Sequence, residues 1–166
     1  MKSLQELDFP SCVLSLHQIG KIHYKLKELN VPIITVAHGK NFGGGLALFL
    51  QGDVRICRKD TEFTHGCIER GVCPEVYFSQ LLPYVTNNVI SSKIYLNNKV
   101  IYTDKALEYG LVNCTIDTTD NAMIESRNII NNYEKEIKNI INENHLFKES
   151  YGFAKCIKYG NATLNI

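Results

Sequence analysis

The sequence predicts an α/β fold, a small and mostly parallel sheet with helices packed around it. Three apolar runs rich in β-branched residues, Ile33 to Ala37, Val54 to Cys57 and Leu111 to Ile116, have the length and composition of buried strands. Segments with helical spacing or capping signals separate them. Between the first two runs stands the stretch that organises the chain. Gly39 permits a sharp turn, residues 40–42 read as loop, and Gly43, Gly44 and Gly45 lead into Leu46-Ala-Leu-Phe-Leu50. That last run is apolar on every side and reads as a helix inserted into a core. Glycines at a helix start leave amide N–H groups bare at the positive end of the helix dipole, where they can receive a carbonyl oxygen that is becoming an oxyanion. A tight turn where helix and strand pack closely is the other reading of the same triplet.

The remaining elements follow in order. Pro10-Ser11 is a helix-start signal, and Cys12, Leu16, Ile19, His23 and Leu26, alternately four and three apart, share one face of a helix that ends near Asn30. His23 reads as a core or boundary histidine, because no second ligand lies one turn away. Asp53 to Cys57 and Glu62 to Thr64 read as strands around the polar turn Arg58 to Thr61. Phe78, Leu81, Leu82 and Val85 mark a helix beginning near Val76, Ile90 to Leu96 a second, and Thr103 to Gly110 a third with Thr103 as N-cap. Thr119-Asp120 opens a long helix through Met123, Ile130, Tyr133, Ile137, Ile140 and Asn144, whose narrow apolar face suits a single neighbour. A weak helix from Phe147 to Ile157 and a polar tail close the chain.

Composition excludes several functions. A net charge of +1 with 21% charged residues leaves no electrostatic footprint for nucleic acid or an anionic membrane. No stretch approaches the roughly 20 apolar residues of a membrane span, and the start carries no leader pattern. The cysteines, Cys12, Cys57, Cys67, Cys73, Cys114 and Cys156, are scattered without a Cys-x-x-Cys pair, which points to reduced thiols and a cytoplasmic location. His65, Cys67 and Cys73 lack a fourth ligand, so no metal is expected. A Cys67 nucleophile activated by His65 is chemically possible, but Cys67 as a small apolar filler is the preferred reading.

The run from Val31 to Asn113 resembles the second half of the crotonase (enoyl-CoA hydratase/isomerase) family. The matching pieces stand in family order: Val31-Pro-Ile-Ile-Thr-Val-Ala-His-Gly39, Gly43-Gly-Gly45, Asp53-Val-Arg-Ile56, Phe63, Gly71-Val-Cys-Pro74, Leu82-Pro83, and Thr103-Asp-Lys-Ala106 with Gly110-Leu-Val-Asn113. The resemblance implies the ClpP/crotonase spiral of ββα units as one partial domain over residues 1–166, truncated at the N-terminus, with a C-terminal helical region over residues 117–166. It also implies an enzyme of acyl thioesters that stabilises their enolates and holds no tight cofactor. The acyl carrier is coenzyme A, as in fatty acid metabolism, or a phosphopantetheine arm, as in polyketide branches. By position Gly44 N–H is one oxyanion donor, with Gly43 and Gly45 beside it at the substrate. The family's second donor would precede Met1, so the resemblance leaves a split protein completed by an N-terminal half or a remnant that no longer catalyses. The family's trimer-building terminal helices are expected to be shortened or lost, which leaves a homo-oligomer open.

Hydratases of the family place glutamates where this chain has Ala47 and Cys67, so ordinary hydration is not expected. Glu75 stands where the dienoyl-CoA isomerase branch carries a proton-shuttling aspartate. Beside Val72 and Val76 its carboxyl would have a raised pKa and could move an α-proton; its alternative is to cap the following helix. His65 is next in line. The expected activity is isomerase, decarboxylase or dehydratase, with a noncatalytic binding subunit as the alternative.

Overall fold

The computed structural model describes residues 2–29, 31–131 and 143–160. The chain opens with α1 (Lys2–Glu6) and α2 (Phe9–Glu28), then β1 (Ile34–Ala37), β2 (Lys40–Phe42) and α3 (Gly44–Phe49). Next come β3 (Val54–Arg58), β4 (Glu62–Thr64), a single 3-10 turn at Ile68–Arg70, α4 (Phe78–Val85) and α5 (Asn88–Asn97). Then follow β5 (Ile101–Tyr102), α6 (Thr103–Glu108), β6 (Cys114–Ile116), α7 (Asn121–Asn131) and α8 (Glu143–Tyr159).

The expected parallel sheet is present, in the order β1-β3-β6, with Ile34 opposite Val54 and Ile56 opposite Cys114. Its third strand is shorter than the apolar run suggests. Leu111 and Val112 are buried in the turn before it, where the Val112 N–H donates to the Ala106 carbonyl at 3.2 Å. A second sheet, β2-β4-β5, replaces the loop expected at residues 40–42: β2 runs parallel to β4, with Asn41 opposite Phe63, and β5 antiparallel to it. Strands this short show no period, and only the partner makes them strands. From β1 to β4 the strands thus alternate between the two sheets, β5 pairs back onto β4, and Gly39, at φ +62°, turns the corner between β1 and β2. This is the ββα spiral that the family resemblance implies.

Buried side chains tie these layers together. Asp8 caps α2 by accepting the Ser11 N–H at 2.8 Å. The buried stripe of α2 includes Cys12, Leu16 and His23 as expected, but Ile19 is 44% exposed. At its far end Lys27 Nζ donates to Asp53 at 3.0 Å, and the other Asp53 oxygen accepts the Ile33 N–H at 2.8 Å. Arg55, buried on β3, donates to the carbonyls of Leu111, Gly52 and Gly110.

Three helical expectations are corrected. The fourth helix begins at Phe78, not near Val76, because Val76 and Tyr77 are left-handed at φ +55° and +61°. Thr103 is not the N-cap of α6; Tyr102 is, and the Thr103 hydroxyl donates instead to the carbonyls of Arg58 and Thr61. The last helix is longer than Phe147 to Ile157 and packs along α2, where Leu146 fills the space above Gly20 so closely that a Cβ there would lie 2.0 Å from Leu146 Cδ1. The expected helical positions Tyr133, Ile137 and Ile140, the Asn144 side chain and the tail after residue 160 lie outside the described residues.

Leu146 is fully buried and joins α8 to the main core. Leu146→Ala is expected to lower stability by about 2–4 kcal/mol, read as a fall in the urea midpoint at constant slope.

Candidate functional site

The glycine triplet is placed by the second sheet. Gly43 N–H donates to the Thr64 carbonyl at 3.2 Å, extending the β2–β4 ladder, and Gly43 then turns the chain at φ +50° into α3. Gly44 is the first helical residue, so its N–H has no acceptor within its own helix. A Cβ built on Gly44 would stand 3.7 Å from Glu75 Oε1, whereas one on Gly45 would meet nothing within 4 Å.

Glu75 arrives from the opposite side. The 3-10 turn ends at Gly71 in a left-handed conformation, and Pro74 and Glu75 follow before the left-handed pair Val76 and Tyr77. Gln51 Nε2 donates to the Val76 carbonyl at 3.2 Å from the core side. Between these segments and α2 lies a cleft of about 520 Å³, lined by Ile19, His23, Gly44, Gly45, Leu48 and Glu75 among others. Its size is that of small-molecule sites, and its walls are mostly apolar. Two other depressions, one bordered by Lys93, Lys99 and Lys105 and one on the outer face of α5, contain no carboxylate or histidine.

Burial pushes the Glu75 carboxyl up to about 7, and the charge of Glu149 on α8 adds to the rise. Glu149 itself accepts the Tyr77 N–H at 2.5 Å, the Ser79 N–H at 3.1 Å and the Ser79 hydroxyl. Those Tyr77 and Ser79 donors are therefore taken by Glu149 and not by the Glu75 carboxylate, while the Phe78 N–H donates to the Glu75 backbone carbonyl at 3.0 Å.

The structure brings together Gly44, Gly45 and Glu75. Gly43 adjoins them as the N-cap with its N–H already used. His65 stands apart from the cleft lining: 2% exposed, it stacks on Phe78 at 4.6 Å and meets the Tyr95 ring edge-on. Neither of its ring nitrogens has a hydrogen-bond partner among the described residues, and burial pulls its pKa down to about 4. Cys67 packs with Cys12, Leu16, Val72 and Phe153, its thiol pushed up to about 12 chiefly by burial. No cluster of metal-ligating side chains occurs among the described residues.

Sequence reasoning missed two residues here. His23, expected as a core or boundary histidine, is 8% exposed and lines the cleft, a position that the helical stripe alone does not indicate. Glu149 was not singled out at all. Its signal was available, since Leu146, Ser150, Phe153 and Ala154 form the buried stripe of α8 and Glu149 is a charge on that stripe.

The family pattern described as enoyl-CoA hydratase/isomerase matches residues 15–152. Over 108 residues, 63% of this chain, the sequence is 32% identical to the fatty acid oxidation complex subunit alpha of Shewanella oneidensis, of which it spans 15%. The fold is similar to that of an enoyl-CoA hydratase from Mycobacterium avium subsp. paratuberculosis, with a TM-score of 0.77 at 16% identity over 92% of this chain and 69% of that one. It is also similar to an enoyl-CoA hydratase from Thermoplasma volcanium, with a TM-score of 0.65 at 21% identity over 76% of this chain and 49% of that one.

A carboxyl raised from 4.5 to about 7 on folding binds its proton more tightly in the native state. Its contribution to stability is full below about 4.5 and is lost as pH rises through about 7. Glu75→Gln is therefore expected to gain stability over the native protein between pH 5 and 8, by about 3 kcal/mol at most. Urea midpoints measured across that range check this; a stability difference independent of pH would contradict the burial of Glu75.

Proposed function

The chain belongs to the enoyl-CoA hydratase/isomerase family, and from that premise we propose that it moves a proton beside the carbonyl of an acyl thioester. The observation that carries this reading is the approach of Glu75 to Gly44 within one mostly apolar cleft. In this reading the thioester oxygen lies on the Gly44 N–H. Glu75 takes the α-proton as the C–H electron pair moves into the enolate, then returns the proton to the same or an allylic carbon. A carboxyl titrating near 7 suits both transfers, because at neutral pH it can accept a proton and give it back. Ile19 and Leu48 supply apolar wall for an acyl chain.

Isomerisation, decarboxylation or dehydration fits better than hydration. In this reading Ala47 and Cys67, both buried, stand where the family resemblance puts the two hydratase acids, and neither can activate water. The acyl carrier is coenzyme A or a phosphopantetheine arm, and likeness to a fatty acid oxidation subunit supports the former. Ile19 and Leu48, 44% and 47% exposed at the cleft, also suit cover by a second copy or by a complementing N-terminal half. Six free thiols fit a cytoplasmic location, and no described helix is long and apolar enough to cross a membrane. The loss of both hydratase acids equally favours a second reading, a noncatalytic subunit that binds the thioester or a partner.

Exchange of α-protons of a saturated acyl thioester with deuterated water separates the two. The native protein is expected to catalyse exchange while hydrating crotonyl-CoA negligibly. Glu75→Gln is expected to lower exchange by about a hundredfold or more with thioester binding retained. Binding without exchange in the native protein would support the noncatalytic subunit, and exchange that survives Glu75→Gln would remove Glu75 from the chemistry.

A further inference from the structure

Glu149 is a buried carboxylate, 7% exposed, that the proposed reaction does not use. It belongs to α8, yet its oxygens reach the N-terminus of α4, 70 residues away in sequence. That helix has no side-chain cap of its own at Tyr77. Glu149 takes the place of one, accepting the N–H groups of Tyr77 and Ser79 and the Ser79 hydroxyl at the positive end of the helix.

The segment so held is the one that aims Glu75. Val76 and Tyr77 are left-handed, at φ +55° and +61°, conformations that a β-branched and an aromatic residue adopt only when their surroundings impose them. Gln51 holds the Val76 carbonyl on one side of this turn, and Glu149 holds the Tyr77 N–H on the other. Glu75 immediately precedes the turn, with its carboxylate facing Gly44.

We infer that Glu149 is the positioning residue of the cleft, clamping the left-handed turn at Val76 and Tyr77 so that the Glu75 carboxylate is presented to Gly44. The inference deepens the proposed function and rests on its reading of Glu75 as the proton carrier. The clamp also sets charge beside Glu75. Of the ionisable groups around that carboxylate, Cys12 and His23 come from α2, Cys67 from the segment after β4, and Glu149 from α8. Burial disfavours the charged forms of Cys12, Cys67 and His23, leaving Glu149 as the charge that acts on Glu75. Leu146 over Gly20 and Phe153 against the cysteine cluster dock the helix that brings it.

Carboxyl carbon NMR of the full chain labelled at glutamate tests this without any substrate. In the native protein the Glu75 resonance is expected to titrate near pH 7. In Glu149→Gln, which keeps an amide oxygen for the α4 donors but loses the charge, the Glu75 midpoint should fall by about one pH unit. Glu149→Asp, with the charge retained at shorter reach, should restore part of that shift. An unmoved Glu75 midpoint in folded Glu149→Gln overturns the inference. Should that variant not fold, hydrogen exchange of the native protein decides: protected Tyr77 and Ser79 amides support the clamp, and unprotected ones overturn it. Thioester α-proton exchange is read separately. Coupled titration without exchange would keep the clamp and remove the proposed reaction, while exchange without coupling would do the reverse.

Discussion

A carboxylate taken out of water costs several kcal/mol unless its oxygens are fully occupied, and the site depends on how Glu149 meets that demand. The donors it finds are backbone and hydroxyl groups at the start of α4, so the chain's last helix and the turn after Glu75 are folded as one unit. The dependence runs both ways. Without α8 the Tyr77 and Ser79 amides lose an acceptor, and without the left-handed turn Glu149 would be a buried charge lacking these three donors. Packing makes the arrangement possible, since Gly20 leaves room on α2 for Leu146 and so lets α8 approach.

Much of the framework was legible in the sequence because it rests on local rules. Apolar β-branched runs gave β1 and β3, Gly39 gave the corner between sheets, and Gly43 to Gly45 gave the start of α3. The short strands β2 and β5 were not legible, because two or three residues carry no period and their pairing is decided by β4. Val76 and Tyr77 gave no warning either. Left-handed backbone is signalled by glycine or asparagine, and here tertiary hydrogen bonds impose it on residues that resist it.

At the site, the family resemblance pointed to Glu75 and the glycines, which the fold brings together, but the residues that give Glu75 its properties were not legible. The charge of Glu149 comes from an element more than seventy positions downstream, and the cleft walls come from α2 and α3, which no local pattern in residues 71 to 78 could encode. His65 illustrates the converse. As a histidine near a glycine loop it invited a chemical role, yet Phe78 and Tyr95 enclose its ring. Cys73 and Cys156 are remote in sequence but adjacent in the fold, where Cys156 adds to the rise that burial imposes on the Cys73 thiol.

Acid–base chemistry of this kind needs one carboxyl held near neutrality, an amide donor within a ligand's width and little competing water. Glu75 is the only carboxylate that lines the cleft among the described residues, so the account stands or falls on whether a thioester enters there. The most direct measurement is an amide NMR titration of the full chain with butyryl-pantetheine. The largest shifts are expected on Gly44, Gly45, Leu48 and Glu75 and are expected to saturate together. Shifts centred instead on the Lys93, Lys99 and Lys105 depression, or none at millimolar ligand, would contradict it.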